Sequence, residues 1–140
     1  MLVELDEELH FNRYRLLTLE TSWARDLPWT SAYRDLCASH EDDCLRAAQW
    51  GKRWTNPSCE VLFGAPAPPG QLGGDGGAPR WKQRALYDAM KDAFAAGSAT
   101  HLARLSVHDP VGEVSLEVAL RDPSRADLDA LTALLETRTT

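Results

Sequence analysis

Four side chains of types that bind zinc lie in the first half of the chain: Cys37, His40, Cys44 and Cys59. Zinc takes four Cys or His ligands in a tetrahedron, and one continuous helix would place the first three on a single face. The spacing lacks the close cysteine pair of common zinc modules. The same positions also fit the apolar face of a helical hairpin, where free cysteine packs as a small hydrophobic residue. The sequence therefore leaves two interpretations open, a zinc site and a cysteine-containing core, and zinc is the only cofactor it suggests.

Nucleophilic catalysis would require Cys59, followed by Glu60, to meet one of the histidines of the chain. None of the local signatures that surround a catalytic Cys or Ser is present. We therefore predict no catalytic residue. A small enzyme with a site between a loop at 64–79 and a hairpin at 100–121 is kept as an alternative.

A second candidate site lies at the predicted start of a helix, where Pro79 suits the first turn. Arg80 and Lys82 follow it. The exposed N–H groups and the dipole of a helix N-terminus favour anions. The glycine-rich segment before it contains neither GxGxxG nor GxxxxGK[ST]. The sequence therefore predicts at most an anion site at Arg80 and Lys82.

Tryptophan is concentrated in the first half of the chain, which holds four of the five residues of this type. Tryptophan and arginine are enriched among the residues that dominate protein interfaces. This enrichment makes Trp29, Trp50, Arg53 and Trp54 candidates for a partner-binding surface. The alternative is a small core built from large aromatic side chains.

The net charge is −6 and no basic stripe is present. Direct nucleic-acid binding is therefore disfavoured, whereas basic protein partners suit an acidic surface. No apolar run reaches the ~18 residues of a membrane span, and the start MLVELDEEL lacks the pattern of a signal peptide. Three cysteines argue against a disulfide framework. Together these features predict a cytoplasmic protein without membrane association.

A Gly/Pro-rich segment at 64–79 divides the chain and contains six of its nine glycines. Such a segment excludes a helix or an inner strand. Each flanking half is too short for an independent core, so we predict one domain over 1–140 with a flexible loop at 64–79.

The first half is expected to be mostly helical, although residues 1–23 fit strands almost as well as a helix. The segment 59–63 is predicted as an edge strand. After Pro79, an amphipathic helix carries one apolar face (Leu86, Tyr87, Met90, Phe94) and one polar face that includes Asp88 and Asp92.

Period-two alternation then predicts two strands, at 103–107 and at 114–121. The turn between them is Asp109-Pro110-Val111-Gly112, a residue order typical of a type I turn. A leucine-rich final helix follows. We therefore predict an α+β fold in which a central hairpin at about 100–121 belongs to a small antiparallel sheet, with helices packed on one face.

The stretches ALYDAMKDAF, ARLSVHDPVGEVSLEVAL and DLDALTALLE follow the order helix, strand, turn, strand, helix. This order resembles the second half of the type III secretion chaperone and YbjN-like superfamily. The resemblance implies a small, acidic, dimeric protein that binds other proteins and is not an enzyme. It covers residues 79–136 and carries no functional residue with it. We therefore expect a non-catalytic interaction module, adaptor or chaperone-like, acting as a homodimer; the alternatives are a zinc-stabilised binding module and the small enzyme named above.

Overall fold

The structure is a computed structural model, and it describes residues 1–48, 51–73 and 76–140. The fold is α+β, as predicted. Its elements, in chain order, are β1 (Leu2–Asp6), α1 (Arg13–Leu19), α2 (Thr30–Ser39), α3 (Glu41–Ala48), α4 (Pro57–Phe63), α5 (Pro79–Gly97), β2 (Leu102–Ser106), β3 (Pro110–Val111), β4 (Val114–Ser115), α6 (Leu116–Arg121) and α7 (Leu128–Thr137). Short 3₁₀ turns lie at Glu8–His10, Gly51–Arg53 and Pro123–Arg125.

The main sheet pairs the two ends of the chain. Strand β1 runs parallel to β2, with Leu2 opposite Leu102 and Asp6 opposite Ser106. On the other side of β2, Ala103 bridges to Thr139. The prediction of an antiparallel sheet is therefore wrong for these strands. Residues 1–23, left open between helix and strands, form one strand, a 3₁₀ turn and the short helix α1.

The predicted central hairpin between 103–107 and 114–121 is also wrong, because β2 pairs with β1, and Pro110 and Val111, predicted as turn residues, form the strand β3. Only β3 and β4 pair, two residues each, and their turn contains Gly112 at a φ of +69°. The segment predicted as a long second strand continues as α6 because Ser115 caps that helix and Glu117 pairs with Arg121 one turn later at 2.6 Å. Alternate apolar residues also place Leu116 and Ala119 on one helical face, and both are buried.

The segment 59–63, predicted as an edge strand, belongs to helix α4. Asn56 caps the helix by accepting a hydrogen bond from the Cys59 N–H at 3.0 Å, and Pro57 occupies the first turn. These two residues favour a helix start over a strand. Cys59 faces the interior, whereas Val61 and Leu62 are exposed.

Three apolar clusters form the interior. The largest joins α1, α2, α5 and β2 through Phe11, Leu19, Trp29, Tyr33 and Leu102, among others. The second surrounds Trp54 and Trp81, whose rings meet edge to face. In the third, the leucines of α7 cover Leu105, Val111 and Leu116. In the part of the chain that the structure describes, no helix is long and apolar enough to cross a membrane.

The described part of the Gly/Pro-rich segment makes contacts with the second cluster. The Trp54 indole donates a hydrogen bond to the Ala67 carbonyl at 2.8 Å, and the Ala67 N–H donates to Gly77 at 2.9 Å. Gly77 has a φ of +54° and lies under the Tyr14 hydroxyl, where a Cβ would clash. These contacts fix the position of the backbone just before the first turn of α5.

The start of helix α1 depends on one buried side chain. Asn12 accepts hydrogen bonds from the N–H groups of Tyr14 and Arg15 and donates to the Leu9 carbonyl at 3.1 Å. We expect Asn12→Ala to lower the free energy of unfolding by about 2 kcal/mol, because a helix cap and a buried hydrogen bond are lost together. The half-buried cap Asn56 is the matched control, and Asn56→Ala should cost about 1 kcal/mol. Urea denaturation checks both values, and equal costs would contradict the structure.

Candidate functional site

Arg104 lies at the centre of a group of charged side chains inside the protein. Its guanidinium is 2.6 Å from an oxygen of Asp6, 3.3 Å from one of Asp88 and 3.1 Å from one of Asp92. All four side chains are at most 2% exposed. Asp6, opposite Ser106, lies on the same face of the sheet as Arg104, two residues along β2, and this face meets α5. One helical turn separates Asp88 from Asp92.

Arg15 of helix α1 completes this charge network, which we define as Asp6, Arg15, Asp88, Asp92 and Arg104. Its guanidinium is 2.7 Å from Asp92, and both side chains are at most 1% exposed. Aromatic rings surround the two cations, since Arg104 lies over Trp29 and Arg15 over Tyr33. The charges therefore sit in an apolar environment in which each depends on its partners.

The charge network alone has one negative charge in excess, since it contains three carboxylates and two guanidinium groups. His10 lies at its edge, with Nδ1 2.7 Å from Asp88 and 3.3 Å from Asp6. Burial raises the pKa of Asp88, but the hydrogen bond and charge of His10, with Arg104 and Arg15, lower it to about 2. Burial alone would lower the pKa of Arg104. The charges of the three carboxylates have the larger effect, so the pKa of Arg104 is raised overall. A protonated His10 would make the whole group neutral.

The edge of the charge network opens into a cavity of about 160 Å³ along helix α5, which we call the α5 cavity. His10 forms one wall. The other lining residues all belong to α5: Arg80, Gln83, Arg84, Tyr87, Asp88 and Lys91. Since Nδ1 of His10 faces the two carboxylates, Nε2 is the ring nitrogen available to the cavity.

Helix α5 buries two aspartates and leaves four large apolar side chains exposed. Asp88 and Asp92 are buried in the charge network. Leu86, Tyr87, Met90 and Phe94, which we call the α5 apolar face, are between 42% and 61% exposed. An amphipathic surface helix ordinarily has the opposite orientation. The difference matters because exposed apolar groups of this size mark interaction surfaces.

Strand β1 lies beside the α5 apolar face and extends it. Leu2 and Val3 join Met90, Phe94 and Leu102 around an apolar groove of about 380 Å³. Along this groove the charged pair is Glu4 and Lys91, which contact each other. In the described sheet β1 has one neighbour, β2, so its other edge is unpaired.

The four residues proposed as zinc ligands are not brought together. The Cys44 thiol donates to the Glu8 carbonyl at 2.6 Å, the Cys59 thiol contacts Gln83 at 3.2 Å, and Cys37 packs in the largest apolar cluster. His40 pairs with the carboxylate of Asp43 at 2.8 Å. Burial raises the pKa of the Cys37 and Cys44 thiols to about 12, which disfavours the thiolate that zinc requires.

The three histidines considered as a base for Cys59, which are His40, His101 and His108, have other partners. His108 stacks on His40, with ring centroids 3.8 Å apart, and His101 contacts the Thr140 carbonyl. The structure therefore does not assemble a cysteine nucleophile with a histidine base. The cavity beside the hairpin is lined by Glu113, Val114 and residues 124–127, so the alternative enzyme site at the 64–79 loop finds no support there.

The two residues of the predicted anion site have different surroundings. Arg80 lines the α5 cavity. Lys82 donates to the Gly76 carbonyl at 2.9 Å and lies over the Tyr14 ring. The helix N-terminus itself is occupied, because the Arg80 N–H donates to the Trp54 carbonyl at 3.1 Å.

Two of the predicted partner-binding residues are in the interior. Trp29 is 0% and Trp54 2% exposed, so the core interpretation is correct for both. Arg53 is exposed and donates to the Ala47 carbonyl at 3.2 Å. Trp50 lies outside the described residues.

The charge network was missed because its members come from four elements and lie up to 98 residues apart. One signal was local. Asp88 and Asp92 share a helical face, and Arg15 and Arg104 occur in segments that are otherwise apolar on one side. To connect these aspartates with the two arginines, one would have to know that α5 packs against α1 and β2.

Residues 1–122 match the model of a family of unknown function, DUF7255. The chain belongs to this family. No curated protein and no solved structure matches the chain. The DUF7255 match includes every member of the charge network, the α5 cavity and the α5 apolar face, and it ends before α7. It does not bear on the resemblance to type III secretion chaperones, which remains a prediction.

We expect Arg104→Met to lower the free energy of unfolding by about 3–5 kcal/mol, because three buried carboxylates lose their shared cation. The matched control is Arg121→Met, which removes an arginine whose side chain is 79% exposed and should cost at most about 1 kcal/mol. Chemical denaturation of both variants measures the difference. Similar costs would show that the charge network does not stabilise the fold.

The stacked pair His40 and His108 predicts a pH dependence of stability. Burial, and then the neighbouring His40, lower the pKa of His108 below its ordinary value of 6.5. The unfolded chain therefore binds the proton more tightly, and stability should fall as the pH decreases below about 6.5. Asp43, Glu117 and Glu8 oppose this effect without reversing it.

Replacing His108→Gln should reduce the stability lost between about pH 7.5 and about pH 5.5, because the group that titrates is gone. His40→Gln removes only the second cause and should give an intermediate loss. Equilibrium unfolding at the two pH values tests this order. An unchanged loss in His108→Gln would contradict it.

Proposed function

We propose that the protein is a non-catalytic interaction module that acts as a homodimer, and that β1 and the α5 apolar face form the contact between the two copies. The observation that carries the proposal is the orientation of α5, whose apolar side chains face solvent beside an unpaired strand. Adaptor or chaperone-like activity, expected from the sequence, would then be exercised by the dimer.

The orientation of α5 supports a partner because the side chains left outside are large. Met90 is 61% and Phe94 57% exposed, and the neighbouring Leu2 and Val3 are 56% and 54% exposed. Burying apolar surface contributes about 25 cal/mol per Å². A surface that joins a helix face to a strand is of the kind that two proteins cover together.

The unpaired edge of β1 supports pairing with another strand. The Leu2 N–H donates to His101 and the Asp6 carbonyl accepts from Val107, so the even-numbered residues of β1 bond to β2. In a parallel ladder the intervening residues, Val3 and Leu5, then direct their backbone groups outward. An exposed edge of this kind pairs readily with another strand unless it is protected.

A second copy of the chain is the occupant that fits best. With a net charge of −6, two copies repel each other over most of their surface. In the groove, Glu4 and Lys91 neutralise each other, so two copies can approach there without a net charge. A two-fold axis at this edge would join two β1 strands into a four-stranded sheet and cover both α5 apolar faces.

Size-exclusion chromatography with light scattering tests this contact. The wild-type chain should elute with twice its own mass at about 100 μM, and Met90→Glu should be monomeric because it places a charge in the contact. The matched control is Val61→Glu, which adds the same charge at a position 86% exposed on α4 and should remain dimeric.

Val3→Pro tests the strand edge separately. It removes an N–H that faces outward and costs no bond within the sheet, so the chain should fold and be monomeric. Circular dichroism verifies the fold of each variant. A monomeric wild-type chain would overturn the homodimer, and a dimer that persists in both Met90→Glu and Val3→Pro would place the contact elsewhere.

A further inference from the structure

We propose that the α5 cavity binds a phosphate-sized oxyanion, held by Arg80 and Arg84 with His10 opposite them. The ligand class is an inorganic phosphate or the phosphate group of a small ester. The site is formed within one copy of the chain, so it does not depend on the homodimer.

Two arginines without a carboxylate partner are the first argument. Arg80 and Arg84 are four residues apart on α5, so their side chains lie on the same face. Among the described residues, neither has a carboxylate within 4.0 Å. Arg80 instead donates to the amide oxygen of Gln83. Two adjacent cations without an anion between them form a site of positive potential in an acidic protein.

The burial of Arg84 is the second argument. Its Nη1 atom is buried and has no hydrogen-bond partner in the described structure. Burial, and then the charge of Arg80, lower the pKa of its guanidinium. A bound anion would remove both penalties, because it supplies charge and hydrogen-bond acceptors to the two arginines.

The remaining wall suits an anion as well. His10 lines the cavity with Nδ1 held by Asp88, so a protonated ring would donate its Nε2–H to an anion, whereas Lys91, also in the lining, is paired with Glu4. The carboxylate of Asp88 is directed inward, to His10 and Arg104. His10 and Arg104 therefore offset the negative charge of Asp88, which weakens its repulsion of a bound anion. The contact of Asp88 with Nδ1 also fixes the orientation of the His10 ring.

The size and shape of the cavity limit the ligand. A volume of about 160 Å³ accommodates a tetrahedral oxyanion or a small phosphate ester. Guanidinium groups bind such anions through paired N–H donors, which a lysine cannot reproduce. This geometry favours a phosphate group over an extended anionic polymer.

A cation is the competing occupant. Asp6, His10 and Asp88 each offer one ligand atom, all within 4.8 Å of one another, and in the described residues no other such group was found. However, Arg104 already contacts both carboxylates, and Arg80 and Arg84 line the cavity into which His10 opens. Because these three charges repel a divalent ion, the observations favour the anion.

Isothermal titration with sodium phosphate, at an ionic strength held constant with sodium chloride, tests the proposal. Phosphate should bind the wild-type chain, and Arg84→Gln should bind at least about tenfold more weakly because a charged hydrogen-bond donor is lost. Arg46→Gln, at an exposed arginine on α3, is the matched control and should bind like the wild type. Circular dichroism establishes that each variant folds.

Two further ligands identify the source of the phosphate group. Glycerol phosphate in place of inorganic phosphate tests a small ester, and binding of either one, lost in Arg84→Gln, supports the site. Absence of binding by both, or equal binding by wild type and Arg84→Gln, overturns it. The monomeric variant Met90→Glu should still bind, so a failure of the homodimer and a failure of this site give different results.

Discussion

The buried pairing of Arg104 with three aspartates determines how the rest of the molecule is arranged. A charge inside a protein requires partners at hydrogen-bond distance, because the loss of water is otherwise too costly. Arg104 therefore requires that Asp6 arrive from β1 and that Asp88 and Asp92 arrive from α5. Arg15 likewise requires Asp92 as its partner, and this ion pair fixes α1 against α5.

This requirement explains the unusual orientation of α5. A helix can direct only one face at the sheet, and in this chain that face carries the two aspartates. The apolar residues Leu86, Met90 and Phe94 are thereby directed outward. The exposed apolar face and the buried charges are thus two results of a single rotation of the helix about its axis.

Local patterns predicted some elements well and failed where distant contacts decide. Pro79 and the periodicity after it predicted a helix at α5, and the alternation at 103–107 predicted β2. The same alternation failed at 116–121, because Leu116 and Ala119, three residues apart, also share one helical face, and Ser115 supplies a cap. The choice between the two depended on the cap and not on the pattern.

The candidate site was predictable only in part. Arg80 was predicted from its place at a helix start, but the approach of His10 to the same cavity depends on how the segment after β1 packs against α5. The zinc interpretation counted ligand types and could not test distances. For Trp29 and Trp54 the sequence allowed both a core position and a partner-binding surface. Their burial in the structure decides for the core.

The parallel pairing of β1 with β2 has a consequence for biosynthesis. Strand β1 is made first, yet its partner lies about a hundred residues later, and the cation that neutralises Asp6 arrives with that partner. Until residue 104 has left the ribosome, β1 has no strand to pair with. The aspartates of α5 also lack the Arg104 cation that fixes the orientation of the helix. Contacts so distant along the chain form slowly, so a nascent chain exposes both its carboxylates and its apolar surface until β2 has emerged and paired with β1.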